Sequence, residues 1–184
     1  MFHNNQIIFI DDVVKDINLH SDKNDLNENL KYLVKNILNY FKKIDYISYS
    51  YVINLLDNLS NKIAFYYIDE NVNFIINKNN WISSIIYYLD TTDAEQPICY
   101  ILLLYTPKKF RNKGYGSKFI NSFYDNMKKK YINIKFILSA TDESVDFYLK
   151  NNFDLLDKSI LDYDILQKNE LYDERKLYYI LEKN

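Results

Sequence analysis

The chain has 184 residues, 48% hydrophobic and 17% aromatic, with 23 basic and 25 acidic side chains and a net charge of −2. That length suits a single domain with a sizeable core, and the balanced charge excludes a strong field toward nucleic acid or a membrane surface. The lone Cys99 rules out an intrachain disulfide, and two histidines, His3 and His20, leave no zinc constellation.

In chain order, Gln6 to Ile10 is a short apolar run that predicts a first strand. Leu26, Leu30, Leu33, Val34, Ile37, Leu38 and Phe41 recur at the spacing of one helix face, and Tyr49, Val52, Ile53, Leu56 and Leu59 predict a second helix ending near Ser60. Ile63–Ile68, Val72–Ile76 and Ile82–Leu89 are β-rich runs between polar turns, the pattern of an antiparallel meander. Ile98 to Tyr105 is apolar throughout, as in a central strand covered on both faces. Thr106-Pro107 stops it, and a basic loop leads to Phe119, Ile120, Phe123, Tyr124 and Met127 at helical spacing. That helix ends on Lys128-Lys129-Lys130, which favours the helix dipole. Ile134 to Ala140 predicts a strand, Ser144 to Asn151 a short helix and Lys176 to Leu181 a last strand. The sum is a mixed α/β layer fold in one domain.

Only two glycines occur, Gly114 and Gly116, where an average composition would give roughly a dozen. Both sit in Arg111-Asn112-Lys113-Gly114-Tyr115-Gly116-Ser117, between strand and helix. A helix N-terminus behind a loop of amides binds anions, because those N–H groups lack intrahelical acceptors and the dipole is positive there. Gly114 permits positive φ, Gly116 permits close approach of a phosphate oxygen, and Lys108, Lys109, Arg111 and Lys113 add charge, so a pyrophosphate fits. The spacing is not that of a Walker loop, and the third glycine of a dinucleotide fingerprint is absent.

The apolar strand 98–105, Pro107, and then Arg, two residues, Gly, one residue, Gly at the opening of a helix resemble the signature of the GNAT superfamily of N-acetyltransferases. A second GNAT-like signature is a short helix with an aromatic pair before Gly-Phe. Here it reads Asp142-Glu143-Ser144-Val145-Asp146-Phe147-Tyr148-Leu149-Lys150-Asn151-Asn152-Phe153, with Asn152 replacing the glycine as a left-handed C-cap. The resemblance covers Ile98 to Leu155 well and residues 1–97 through element order.

It implies a GNAT fold: a mixed central sheet with N-terminal helices, flanking helices and two splayed parallel central strands. It implies residues 1–97 as helices and meander, 98–155 as an acetyl-CoA-binding core and 156–184 as a C-terminal insertion with the last strand. Acetyl-CoA would be the cosubstrate, with no metal. The backbone of Leu103, Leu104 and Tyr105 would pair with pantetheine, and the N–H groups of Arg111, Asn112, Lys113, Gly114, Tyr115, Gly116 and Ser117 would hold the pyrophosphate. An amine would then attack the thioester directly, and Tyr148 stands where the family places the tyrosine that serves the departing thiolate.

The strand position that carries a glutamate base in some relatives is Tyr100, and 98–105 contains no carboxylate; Asp93, Glu95 and Asp142 are the acids near that region. The resemblance implies a primary amine as the acceptor. The 140–153 spacing resembles protein-lysine acetyltransferases, and the stretch from Pro97 to Pro107 with Ser139, Ala140 and Asp142 resembles type B histone acetyltransferases. Val145 to Tyr148 is equally similar to amino-sugar-phosphate acetyltransferases. Asp157, Asp162, Asp164, Glu170 and Asp173 make the C-terminal insertion acidic, the pattern of a solvated surface first and of a face toward a cationic substrate second. A small-molecule amine and a non-catalytic acetyl-CoA-binding module are the alternatives. The expected location is intracellular, cytoplasmic or nuclear, since the start lacks a basic segment followed by an apolar one and no apolar run reaches membrane-spanning length.

Overall fold

The computed structural model describes residues 5–10, 36, 39–42, 49–57, 61–68, 81–169 and 177–184. Within these, seven strands form one sheet: β1 (Asn5–Ile10), β2 (Asn61–Ile68), β3 (Trp81–Asp90), β4 (Ile98–Tyr105), β5 (Lys135–Thr141), β6 (Asp154–Leu156) and β7 (Tyr178–Lys183), in the order β1-β2-β3-β4-β5-β7-β6. Only β4 and β5 pair in parallel; every other neighbouring pair is antiparallel. The helices are α1 (Tyr49–Asp57), α2 (Tyr115–Lys130), α3 (Asp142–Leu149) and α4 (Asp164–Asn169). The mixed α/β architecture is the one expected, and no described helix is long and apolar enough to cross a membrane.

The helix expected over 26–41 falls mostly outside the described residues, although Asn36 and residues 39–41 are helical. The strand expected at Val72–Ile76 lies wholly outside them, as do Glu170 and Asp173. Two elements were not anticipated. Residues 154–169 contain β6, which pairs with β7, and α4, which buries Leu166. This stretch adds a strand to the sheet and, through Ile160 and Leu166, closes one core layer.

Each face of the sheet is a core. One layer joins Tyr40, Phe41, Val52, Leu55 and Leu56 to Ile63, Phe65, Trp81 and Ile180; the other joins Phe119, Ile120, Phe123 and Met127 of α2 to Tyr66, Tyr87, Phe136, Leu138 and Tyr148. The rings interlock by edges: Tyr40 meets Phe41, Phe65, Trp81 and Tyr105 with centroids 5.2–5.6 Å apart. A sequence this rich in aromatics thereby fills two layers with few side chains.

β4 runs between the layers, and its alternation breaks once. Tyr87 faces Ile101 and Ile86 faces Leu103, so Leu102 is an extra residue without a counterpart on β3. Through this bulge Tyr100, Leu102, Leu103 and Tyr105 all join the first layer, while Cys99, Ile101 and Leu104 join the second.

Candidate functional site

The parallel pairing of β4 with β5 begins at Ile98–Lys135 and ends at Ile101–Leu138. Both strands continue, β4 to Tyr105 and β5 to Thr141, without pairing to each other. The sheet therefore opens into a V whose vertex is the Ile101–Leu138 pair. On its far side β4 remains held by β3, through Ile86–Leu103, Ile85–Leu104 and Ser84–Tyr105. The edge at Leu102, Leu103 and Leu104 thus faces a gap into which an extended ligand could insert its own donors and acceptors.

β4 leads directly into the basic loop. A 3-10 turn spans Lys108–Phe110, anchored by Phe110 N donating to Pro107 O (2.8 Å). Arg111 Nε donates to Thr106 O at 2.9 Å and so staples the loop to the strand's end, while the Thr106 hydroxyl meets Ser83 Oγ at 2.7 Å. Lys108, Lys109, Asn112, Lys113 and Gly114 are exposed. Asn112 (φ 59°) and Gly114 (φ 75°) are both left-handed, and Gly114 is the N-cap of α2. Left-handed residues in front of a positive helix end are the elements from which an anion nest is built.

The two glycines differ. Gly114 is required by its φ, and a Cβ there would meet nothing within 4 Å. A Cβ on Gly116 would lie 3.4 Å from the Phe147 ring and 3.6 Å from Thr106 Oγ1. Gly116 is therefore where α2 packs closely on α3, a role the sequence did not disclose.

Behind the nest lies a polar network. Asn151, 3% exposed, donates from Nδ2 to Ser117 Oγ (3.2 Å) and Phe147 O (2.7 Å), and accepts from Asn121 Nδ2 (3.0 Å). Asn121 also donates to Ser117 O at 2.9 Å. Lys183, 9% exposed, donates to Asn121 Oδ1 (3.1 Å) and Asn151 O (2.9 Å), with its Nζ 4.4 Å from the Tyr124 ring centroid and 5.5 Å from that of Phe153. Burial pulls its pKa down, and nearby Lys128 adds to this, while Asp125 opposes it. Neither Asn121, Asn151 nor Lys183 was singled out by sequence, because their spacing, 30 and 62 positions apart, carries no local signal.

Tyr148 is 8% exposed, its ring edge-on to Phe147 (5.1 Å) and Phe153 (5.5 Å), and its carbonyl accepts from Asn151 N and Phe153 N at the end of α3. Asn152 adopts φ 62°, the left-handed C-cap expected of it.

The acids separate by position. Asp93 and Glu95 precede β4 and line an open groove of ≈ 560 Å³ with Lys128, Ile132, Asn133 and Asn184. That is the other end of β4, about 23 Å from Tyr105 at roughly 3.3 Å per residue. Asp93 Oδ1 is occupied in accepting from Glu95 N (2.9 Å) and Gln96 N (3.2 Å). These two acids therefore lie at the paired end of β4, away from the open end of the V. Tyr100 is likewise below the vertex, 8% exposed among Tyr88 and Tyr163, and burial foremost pushes its pKa up, with Asp90, Tyr163 and Tyr88 adding to it. Asp142, by contrast, follows Thr141 at the open end of β5 and accepts a hydrogen bond from the Tyr179 hydroxyl, which raises the pKa of that phenol.

The sequence model of the Acetyltransferase (GNAT) domain matches residues 52–165, more than half of the chain. The chain belongs to the GNAT acetyltransferase family. No curated protein sequence matches it. Among solved structures, the catalytic domain of the Tetrahymena GCN5 histone acetyltransferase in complex with coenzyme A is similar at a TM-score of 0.58 and 14% identity, covering 98% of this chain and 93% of that one. Arabidopsis thaliana Naa50 in complex with a bisubstrate analogue gives 0.50 and 18%, covering 98% of each chain. An acyl-CoA N-acyltransferase from Pseudomonas aeruginosa gives 0.56 and 8%, covering 98% and 99%. At these identities the likeness is one of fold, and it confirms the GNAT fold expected from the two signatures. Among the described residues, no group of three or more His, Cys, Asp or Glu could hold a metal ion.

Proposed function

We propose that this GNAT chain, acting as a single domain, transfers the acetyl group of acetyl-CoA to a primary amine by direct attack. The carrying observation is the V: β4 parts from β5 after Ile101–Leu138 and runs into a left-handed, basic loop at a helix N-terminus. An anionic head on that loop and an extended arm along β4 are what acetyl-CoA offers. In this reading the backbone of Leu103, Leu104 and Tyr105 pairs with pantetheine. The amides from Arg111 through Asn112, Lys113, Gly114, Tyr115 and Gly116 to Ser117 take the pyrophosphate.

The attacking nitrogen must be neutral and must lose a proton as the amide forms. We take Asp142 for this role, through water; its seat at the open end of β5, which Asp93 and Glu95 do not share, supports that reading. Tyr148 is assigned to the departing sulfur on the strength of its place in α3.

For the acceptor, a protein or peptide lysine stands ahead of a small-molecule amine. Supporting this, the similar GCN5 and Naa50 structures are of a histone acetyltransferase and of a complex with a bisubstrate analogue, CoA-Ac-MVNAL. Asp157, Asp162 and Asp164 are exposed near the layer that contains the N-terminal helices and would attract a cation, although Asp162 also closes a capping box with Ser159.

A thermal-shift titration with acetyl-CoA, CoA and ATP tests the donor, since a ligand of the native state raises apparent stability. Shifts with both CoA species and none with ATP are expected; no shift with either CoA species sinks the reading. A non-catalytic acetyl-CoA-binding module is favoured by the absence of any carboxylate from β4. Binding of acetyl-CoA without turnover on histone peptides, polyamines, amino sugars or aminoglycosides would select it.

A further inference from the structure

Ser139 stands one residue beyond the vertex of the V. Leu138 makes the last parallel pair with Ile101, so Ser139 and Leu102 are the first residues of β5 and β4 that part from each other. Ser139 lies opposite Ile180 on β7, and residues directly opposite in an antiparallel pair share a face. Ile180 and Ile137 belong to the first core layer, so the Ser139 side chain is on that face, whereas Tyr148 belongs to the second layer.

The Ser139 hydroxyl oxygen is buried and has no hydrogen-bond partner among the described residues. A buried hydroxyl in that condition forfeits its bonds to water without replacing them, and native proteins rarely carry one without a use. The Ser84 hydroxyl is also buried without a partner, but Ser84 sits between β2 and β4 and is paired to both, through Phe65 and Tyr105. Ser139 is different: its strand is open on the β4 side.

A ligand whose anionic head occupies the 111–117 loop and whose arm descends along β4 passes Tyr105, Leu104 and Leu103 before reaching Leu102. Its far end, the reactive end of an acyl thioester, arrives level with Ser139. We propose that the Ser139 hydroxyl donates a hydrogen bond to the thioester sulfur and to the thiolate it becomes. This rests on the acetyl-CoA reading above and adds to it a second contact to sulfur, from the face opposite Tyr148.

The step balances without a further reactant. The amine nitrogen bonds to the carbonyl carbon, the carbon–sulfur bond breaks, and its electron pair stays on sulfur. The nitrogen's proton leaves through the base and reaches sulfur by way of solvent. Ser139 keeps its own proton, being too weak an acid to give it up, and only shares it with the departing sulfur.

The test compares wild type with Ser139→Ala in three measurements: stability, CoA affinity, and the pH titration of the bound CoA thiol by its ultraviolet thiolate absorbance. Removing an unpartnered hydroxyl leaves stability unchanged or raises it. CoA affinity stays within about twofold at a pH where the thiol is protonated, because a hydrogen bond to sulfur counts mainly when sulfur is charged. The bound thiol titrates higher in the variant, since a bond to the thiolate favours the charged form, and turnover falls by up to about tenfold. A destabilised variant, showing that the hydroxyl has a structural partner, would overturn the proposal, as would identical thiol titration curves. If wild type itself binds no CoA, it is the acetyl-CoA reading that fails, which the affinity measurement reports separately.

Discussion

Asn151 Nδ2 lies 3.2 Å from Ser117 Oγ and joins the C-terminal end of α3 to the first turn of α2. Through Asn121 and Lys183 the same amide is tied to β7, so the loop proposed for the pyrophosphate is positioned by residues distant in sequence. Its rigidity is a property of three elements together.

Asn151→Ala should therefore act on stability and on binding. It removes one of the two acceptors of Asn121 Nδ2 and the bonds to Ser117 and Phe147, an expected loss of about 1–3 kcal/mol. Denaturant unfolding measures the first effect. Calorimetry with CoA should show weaker binding even under conditions where the variant is fully folded; unchanged affinity there would confine the network to a structural role.

The glycines should separate in the same pair of assays. Gly114→Ala forces a side chain into φ 75°, at a cost of about 1–2 kcal/mol even though the space is open. Gly116→Ala has ordinary φ and a 3.4 Å contact to Phe147, so its stability change should be small. Its CoA affinity should nevertheless fall on the order of tenfold, the worth of one charge-assisted hydrogen bond displaced by a Cβ. Affinity equal to wild type would make Gly116 solely a helix-packing residue.

Tyr148 can be divided between its ring and its hydroxyl. Tyr148→Ala removes a ring held between Phe147 and Phe153 and should cost about 3–5 kcal/mol. Tyr148→Phe keeps the ring, so a drop in turnover at unchanged CoA affinity is expected from the loss of the hydroxyl. Undiminished turnover would leave Tyr148 as core alone.

Asp142→Asn should lower turnover at neutral pH while leaving CoA affinity near wild type. It should also let the Tyr179 phenol titrate closer to its ordinary value of 10.0, because the carboxylate that raises it is gone. Spectrophotometric titration of tyrosine reads this independently of activity, and full turnover in the variant would exclude Asp142 as the base.

Alkaline pH should destabilise the fold. Burial raises the Cys99 thiol above its ordinary 9.0, and Tyr66, Tyr100, Tyr163 and Tyr179 are raised above 10.0, so the folded state keeps protons that the unfolded chain releases. Their contribution is intact below pH 9 and is lost as pH climbs through that range. Lys183 has the opposite sign: its pKa is lowered from 10.5, so the folded state releases its proton first and gains stability just below that pH. Among the described residues these five groups oppose one, and the net is a fall. Unfolding free energy measured across this range should decline, with the onset delayed toward pH 10 in Cys99→Ala.

Sequence by itself determined the strands and helices from 81 to 153, the loop, and the family, because each rests on short-range patterns: an unbroken apolar strand, two glycines before a helical period, an aromatic pair before a left-handed Asn152. What only the tertiary structure decided depends on separations the chain does not advertise. Whether an acid lies at the open end of the V depends on which end of its strand it flanks, and Asp93 and Glu95 before β4 divide from Asp142 after β5 on that alone. The three-residue β6 is too short for alternation to show, and exists because β7 offers it an edge. The vertex at Ile101–Leu138 and the hydroxyl of Ser139 beside it arise from two strands parting, an event between elements that no single stretch of sequence encodes.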